Sequence, residues 1–280
     1  TVARRIMSEA ILLSCHGSIE SLDDLPAFLA NVRRGRPVPP ELLSEVRARY
    51  EAIGGKSPLM DVSREQARLL AERLGVRVEV AGRLWSPYPA EVLAELARAG
   101  VRRVVSLPLA PQSVHVYNDA VRAAAEPLGL EVVAVAPWGL EPALVDAALG
   151  NIERAASASG LAPSELPVLL TAHSLPTRVL AAGDPYERDF RAMAAAIASP
   201  LEARGHEVAV CFQSQGATND EWLGPELLAT LDELARAKRK GALVAPIGFL
   251  AEHVETLFDL DIEARAHAEK QGLSFFRAPT

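Results

Sequence analysis

The sequence predicts an α/β protein made of two similar Rossmann-like domains, each a four-stranded parallel sheet flanked by helices, with the active cleft between them. Three observations carry this. Short runs rich in Val, Ile and Leu alternate with Ala-, Glu- and Arg-rich stretches of helical period, the pattern of βα units around a parallel sheet. The pattern occurs twice: ILLSCHGS near the start and VLLTAHSLP in the second half each climb through an apolar run to a histidine, which puts His16 and His173 at equivalent points. At 280 residues, finally, the chain is long enough for two domains with cores of their own. The residue just past the last apolar position of such a strand lies at the carboxyl edge of the sheet, where open α/β sheets bind their ligands.

In chain order, strands are expected near 10–15, 77–81, 103–109 and 131–136, then near 167–172, 207–212, 242–247 and 273–276. Helical sequence such as SREQARLLAERLG and YPAEVLAELARAG separates them, and the third strands correspond, since VVSLPLAP and LVAPIGFL both end at a proline-containing edge. Ser63 followed by Gln66 reads as a capping box at the start of one helix. GRPVPPELLSEVRARYEAIGGKSPL reads as another, entered through prolines and stopped at Gly54 and Gly55. The stretch 18–62 exceeds what a minimal βαβ unit needs, and long inserts at a carboxyl edge commonly carry function. PWGLEPALVDAALGNIERAA reads as a turn and a helix joining the halves, so the domains are expected at 1–140 and 141–280. No low-complexity linker intervenes, which points to closely packed halves.

Composition narrows the function. With 49% hydrophobic and 23% charged residues the chain is that of a globular protein, and no apolar run approaches the ~18 residues of a membrane span. TVARRIM is expected to lead into the first strand rather than act as a signal peptide. A cytoplasmic protein is therefore expected, with a peripheral membrane contact left open. The formal net charge of −7 argues against a nucleic-acid partner; RRGRP at 33–37 is the local exception. Cys15 and Cys211 stand far apart inside apolar runs and read as core residues.

Three constellations carry candidate chemistry. The first is His173 in TAHSLP at a strand end. The second is FLAEHVETLFDLDIEARAHAEKQG, read as one helix on which Glu255, Asp259 and Glu263 recur every four residues and stack along one face. Like charges at that spacing repel, so the ladder asks for a compensating cation or is a solvated acidic face. His253, two residues from Glu255, falls on a different helix face and is not counted as its partner. The third is QSQGATNDEWLGPEL, a loop rich in hydrogen-bonding side chains. Imidazole accepts protons near neutrality and carboxylates hold divalent ions, so the set suits a reaction that exchanges protons for a divalent cation.

The same residues resemble the ferrochelatase family. RRGRPVPPELLSEVRARYEAIGGKSPL is similar to its RRGR and RY-x-x-IGG-x-SP segments, TAHSLPTRVLAAGDPY to its S-A-H-S-L-P block ending in GDPY, CFQSQGATNDEWLGPEL to its Q-S-x-G loop ending in W-L-G-P, and PIGFLAEHVETLFDLDIE to its G-F-x-x-[DE]-H-x-E block. The blocks run in family order from residue 33 to residue 263. The resemblance implies a porphyrin iron chelatase, a lyase of haem biosynthesis, whose substrates are Fe2+ and either protoporphyrin IX or coproporphyrin III. It implies His173 and Glu255 as the catalytic pair, His173 accepting pyrrole protons or helping to deliver the metal, and Glu255, Asp259 and Glu263 as a carboxylate path for the ion. It also implies that Arg33, Arg34, Tyr50, Ser57, Tyr117 and Trp222 contact or shape the porphyrin site; His16, at the equivalent strand edge, is a further candidate as an axial ligand or pocket wall.

Some segments depart from the family. APQSVHVYN is shorter than the family block, where a His and hydroxyl residues intervene. CHGS at His16 instead resembles the smaller sirohydrochlorin chelatases. The chain ends at FFRAPT with no cysteine-rich tail, so no iron–sulfur cluster and no permanently bound cofactor are expected. Two alternatives stay open: a cobalt or iron chelatase for sirohydrochlorin, and a tetrapyrrole or haem carrier without catalysis. Oligomeric state is not legible.

Overall fold

The computed structural model describes residues 8–216 and 220–280. The stretch 1–7, expected to lead into the first strand, and residues 217–219 of the QSQGATNDEWLGPEL loop lie outside the described residues. By contacts the chain divides into two compact units, Thr1–Pro137 and Trp138–Thr280.

The first unit holds β1 (Glu9–Cys15), β2 (Arg77–Gly82), β3 (Arg103–Pro108) and β4 (Glu131–Ala134), and the second holds β5 (Val168–His173), β6 (Val208–Gln213), β7 (Gly241–Ala245) and β8 (Ser274–Arg277). All pairings are parallel, in the orders β2-β1-β3-β4 and β6-β5-β7-β8. The two sheets therefore share one topology, and β1 and β5 are equivalent central strands. In both, the order reverses between the first and third strands of the sheet, so the loops leaving those two strands diverge and open a crevice at the carboxyl edge.

Burial on both faces explains the continuous apolar runs. On β5 the side chains alternate with period two. Val168, Leu170 and Ala172 join a core with Ile152, Phe190, Met193 and Ile197 from the helices Pro142–Ser159 and Tyr186–Ala203. Leu169 joins the opposite core with Leu231, Leu260, Ala264 and Phe275. His173 has the parity of Leu169 and Thr171, so it belongs to the face covered by residues 254–270. In the first unit Ala10, Leu12 and Val104 pack against Val92, Leu93, Leu96 and Val121. Cys15 on the other face of β1 approaches Met60, Sγ to Sδ 3.6 Å. Both cysteines are buried and free, and burial pushes the Cys211 thiol up to about 12.

Two local expectations fail. Ser63 does not cap a helix: the helix runs Leu59–Leu74, with Ser63 fully buried inside it. Leu59 and Met60 are buried as well, so tertiary burial extends the helix one turn upstream of the local capping signal. Ser57 Oγ accepts the Leu59 N–H at that earlier start. The stretch expected as one helix from Phe249 to Gly272 is instead a short helix, Val254–Leu257, a π-helix, Asp259–Ala264, and a further helix, Arg265–Lys270. Among the described residues no helix is long and apolar enough to cross a membrane.

The chain leaving β7 turns at Pro246 and Ile247 and crosses the end of β5. Gly248 donates its N–H to Thr171 O at 3.1 Å. A Cβ there would stand 2.5 Å from Ala172 Cβ and 2.9 Å from Ala172 Cα. Only glycine permits the crossing. Gly248→Ala is expected to destabilise the protein by about 1–3 kcal/mol, seen as a lower urea midpoint at unchanged slope.

Candidate active site

The crossing sets residues 249–263 against the carboxyl edge of β5. His173, the last residue of β5, meets Glu255 there, Nδ1 to Oε2 3.1 Å, and the two side chains are 35% and 34% exposed. An ionised carboxylate can only accept, so Nδ1 carries the proton and Nε2 holds the lone pair of the neutral ring. The strand end is fixed from behind by the Tyr186 hydroxyl, which donates to His173 O at 2.8 Å. Ser174, fully buried, donates its hydroxyl to Leu223 O and its N–H to Gln213 O.

Glu255 is fixed through its backbone at both ends. Its N–H donates to His253 Nδ1 at 3.0 Å, because His253, in extended conformation, is the N-cap of the short helix. Its carbonyl accepts from Gln213 Nε2 at 3.0 Å, while Gln213 Oε1 accepts the Thr171 hydroxyl at 2.8 Å. Gln213 is 3% exposed, and the carbonyl on one side, an acceptor only, fixes which way its amide points. One amide thus ties the strand bearing His173 to the backbone of Glu255.

The next residue, Ser214, has φ +60, a left-handed conformation that costs a non-glycine residue of order 1–3 kcal/mol and recurs at functional sites. Its hydroxyl donates to the carboxylate of Asp259, which is 7% exposed at the start of the π-helix. The π character is visible in the Glu263 N–H, which reaches back five residues to Phe258 O at 2.9 Å. Such turns are rare and frequent at functional sites. Glu263 itself is exposed. The expected ladder on one helical face is therefore corrected: the helix changes type inside it, and its members range from half-buried Glu255 through buried Asp259 to exposed Glu263.

The electrostatics follow. Burial pulls the His173 pKa down, but the charge of Glu255, its hydrogen bond and the charge of Asp259 outweigh it, and the net shift is upward. His253 moves the other way: burial dominates, and the nearby His173 adds to it against the charges of Glu255 and Glu252. With Nδ1 accepting from a backbone N–H, the neutral His253 ring carries its proton on Nε2. The ring packs edge-on against Phe249, centroids 4.7 Å apart. His253 and Glu255 are thus bonded after all, through ring nitrogen and main chain.

Of the other residues expected at the site, Trp222 lies in the same unit, bridged to Pro176 and covered by Gly216, where a Cβ would touch the indole at 2.8 Å. In the first unit His16 is exposed just past β1, its carbonyl accepting from Leu84 N. Arg33 donates Nε to Pro37 O, and Arg34 is exposed with φ +54. Tyr50 is buried with its hydroxyl 3.0 Å from Ser18 Oγ, and Ser57 is buried as well, so both shape that unit from inside. Tyr117 is half-buried under the Arg83 guanidinium, 6.0 Å from the ring centroid. The structure joins His173, Glu255 and Asp259 in one network. Tyr186, Gln213 and Ser214 are members that sequence reasoning did not single out, and His253 is one it set aside; Gln213 and Ser214 begin the loop it marked as built for hydrogen bonding. Among the described residues no group of three or more His, Cys, Asp or Glu forms a closed metal cage.

A family model described as Ferrochelatase matches residues 8–280. The chain is 36% identical to a ferrochelatase of Acidobacterium capsulatum, covering 96% of its own length and 87% of that protein. It is 33% identical to the coproporphyrin III ferrochelatase of Bacillus subtilis, covering 95% and 90%. Among solved structures it resembles SirB from Bacillus subtilis with Fe3+, at TM-score 0.53 and 15% identity over 96% of this chain and 87% of that one, a likeness of fold.

A His pKa raised on folding adds stability that is fully present below the ordinary value of 6.5 and is lost as pH rises through the raised value. In Glu255→Gln the main upward influence disappears and burial remains. The His173 titration followed by NMR of the imidazole is expected to move to lower pH, and an unmoved midpoint would contradict the pairing.

Proposed function

The chain belongs to the ferrochelatase family and is an enzyme, and from that premise we propose that it inserts Fe2+ into coproporphyrin III in haem biosynthesis, with His173 as proton acceptor and Glu255, Asp259 and Glu263 as the carboxylates that hand on the metal. The observation that supports this reading is the His173–Glu255 hydrogen bond at the carboxyl edge of β5. It leaves Nε2 as a base while Glu255 stabilises the imidazolium that forms.

Metallation replaces two pyrrole protons by one Fe2+, so two N–H bonds break as four nitrogen–iron contacts form. A neutral imidazole with its lone pair turned outward accepts those protons in turn and returns them to water. Because the His173 pKa is raised, turnover should climb with pH as the ring deprotonates. Carboxylate oxygens suit a divalent ion that must be held and then released, and Asp259, steadied by Ser214, can supply them without entering a closed cage. Coproporphyrin III carries four carboxylates. The relative from Bacillus subtilis is named for that porphyrin, and half-buried Arg33 and Arg83 with exposed Arg34 and Arg36 are cations suited to carboxylate pairing.

In an anaerobic assay with Fe2+, the wild-type chain is expected to metallate coproporphyrin III faster than protoporphyrin IX. His173→Ala should lower kcat by about 10²–10⁴ with the fold intact. Near-full turnover by this variant would overturn the role of His173, and a preference for protoporphyrin IX the choice of substrate.

A further inference from the structure

Arg277 ends β8 and is held to the sheet through its register opposite Val244. Its side chain is 12% exposed, and each of its guanidinium nitrogens donates to a partner. Nε and Nη2 grip the two oxygens of Asp261 at 2.6 and 2.9 Å, and Nη1 reaches Glu252 Oε1 at 2.8 Å. Glu252 immediately precedes His253, the cap of the helix that carries Glu255. Asp261 lies two residues past Asp259, inside the π-helix. One cation therefore bridges both ends of the segment that presents the carboxylates.

That segment has little structure of its own to hold it. The helix Val254–Leu257 is a single turn, and the π-helix uses i→i+5 bonds, a geometry that persists where its surroundings impose it. On the inner side Gln213 and Ser214 fix Glu255 and Asp259. On the outer side the tie is Arg277, aided by Arg265, whose Nη2 stands 3.8 Å from Asp261. A lysine cannot do the same, since an ammonium is a point charge without the planar fork that spans one carboxylate and reaches a second.

We propose that Arg277 is a positioning residue of the iron-insertion site: by clamping Glu252 and Asp261 it sets the π turn and so fixes where Glu255 and Asp259 stand against His173. This rests on the functional reading above. It acts through the carboxylates and does not touch the reacting atoms, so its loss reduces kcat and leaves porphyrin affinity in place.

The test uses the full chain with Arg277→Lys, Arg277→Ala and Asp261→Asn, assayed anaerobically with coproporphyrin III and Fe2+. Each variant is expected to lose about tenfold to a hundredfold in kcat, the scale of a small misplacement of reacting groups, with KM for the porphyrin unchanged. Added methylguanidinium should restore part of the kcat of Arg277→Ala. Folded variants with wild-type kcat, or losses that merely follow the unfolded fraction, would overturn the proposal. If Arg277→Ala does not fold, Asp261→Asn removes the bidentate arm while keeping the guanidinium, and it decides. Amide exchange at Ile262 and Glu263 reads the clamp without turnover: faster exchange in Asp261→Asn supports it, and unchanged exchange refutes it. A wild-type chain that metallates no porphyrin would sink the functional reading, and the exchange result would then stand alone for the clamp.

Discussion

The chain leaving β7 passes over the end of β5 at backbone distance, and everything at the candidate site is arranged around that passage. Gly248 rests on Ala172 and bonds to Thr171, the two residues before His173. With the crossing point set there, the next several residues have no choice but to run along the carboxyl edge of the sheet. The parity of β5 does the rest. Thr171 and His173 face the side that residues 254–270 cover, so the imidazole of one meets the incoming segment directly and the hydroxyl of the other reaches it through Gln213. The hydrogen bonds through Gln213 to Glu255 and through Ser214 to Asp259 then secure a geometry that the backbone has already narrowed.

Three carboxylates of this segment are held by three different partners. Glu255 has an imidazole, Asp259 a hydroxyl, and Asp261 a guanidinium. The order makes physical sense. A permanent cation stabilises a charge for good, which suits Asp261 as an anchor. A titratable ring and a neutral hydroxyl hold the other two by hydrogen bonds, which suits the proposed handing-on of a cation. The segment thus carries guanidinium-bound carboxylates at Glu252 and Asp261 and, between them, Glu255 and Asp259 on an imidazole and a hydroxyl.

The sheets were legible because each strand is a short apolar run buried on both faces, and both halves write it in the same way. His173 could be placed at an edge for the same reason. What escaped was decided by partners distant in sequence. The buried faces of Leu59 and Met60 carried a helix past the serine that locally resembles its cap. Residues 249–272 have helical period and good helix formers, but after the Gly248 crossing the chain stays out of the helix as far as His253, and the bond from Glu263 to Phe258 widens a later turn. Helical spacing also separated His253 from Glu255, because side-chain periodicity does not register a bond from a ring nitrogen to a main-chain N–H. Arg277 left no signal at all: it is one arginine at the end of a strand, and its partners lie 16 and 25 positions back.

A π turn is the shape a helix takes when it carries one residue more than its regular repeat can place. Removing one residue between Phe258 and Glu263 would let the helix close into ordinary i→i+4 bonds and strengthen it locally. It would also rotate everything upstream against everything downstream by about 100°, one residue's worth of α-helix. Asp261 and the buried Leu260, Ala264 and Ala268 could then not all keep their places while Asp259 kept its own. This stretch cannot change by a single residue, and a deletion that made it a better helix would leave it a worse site.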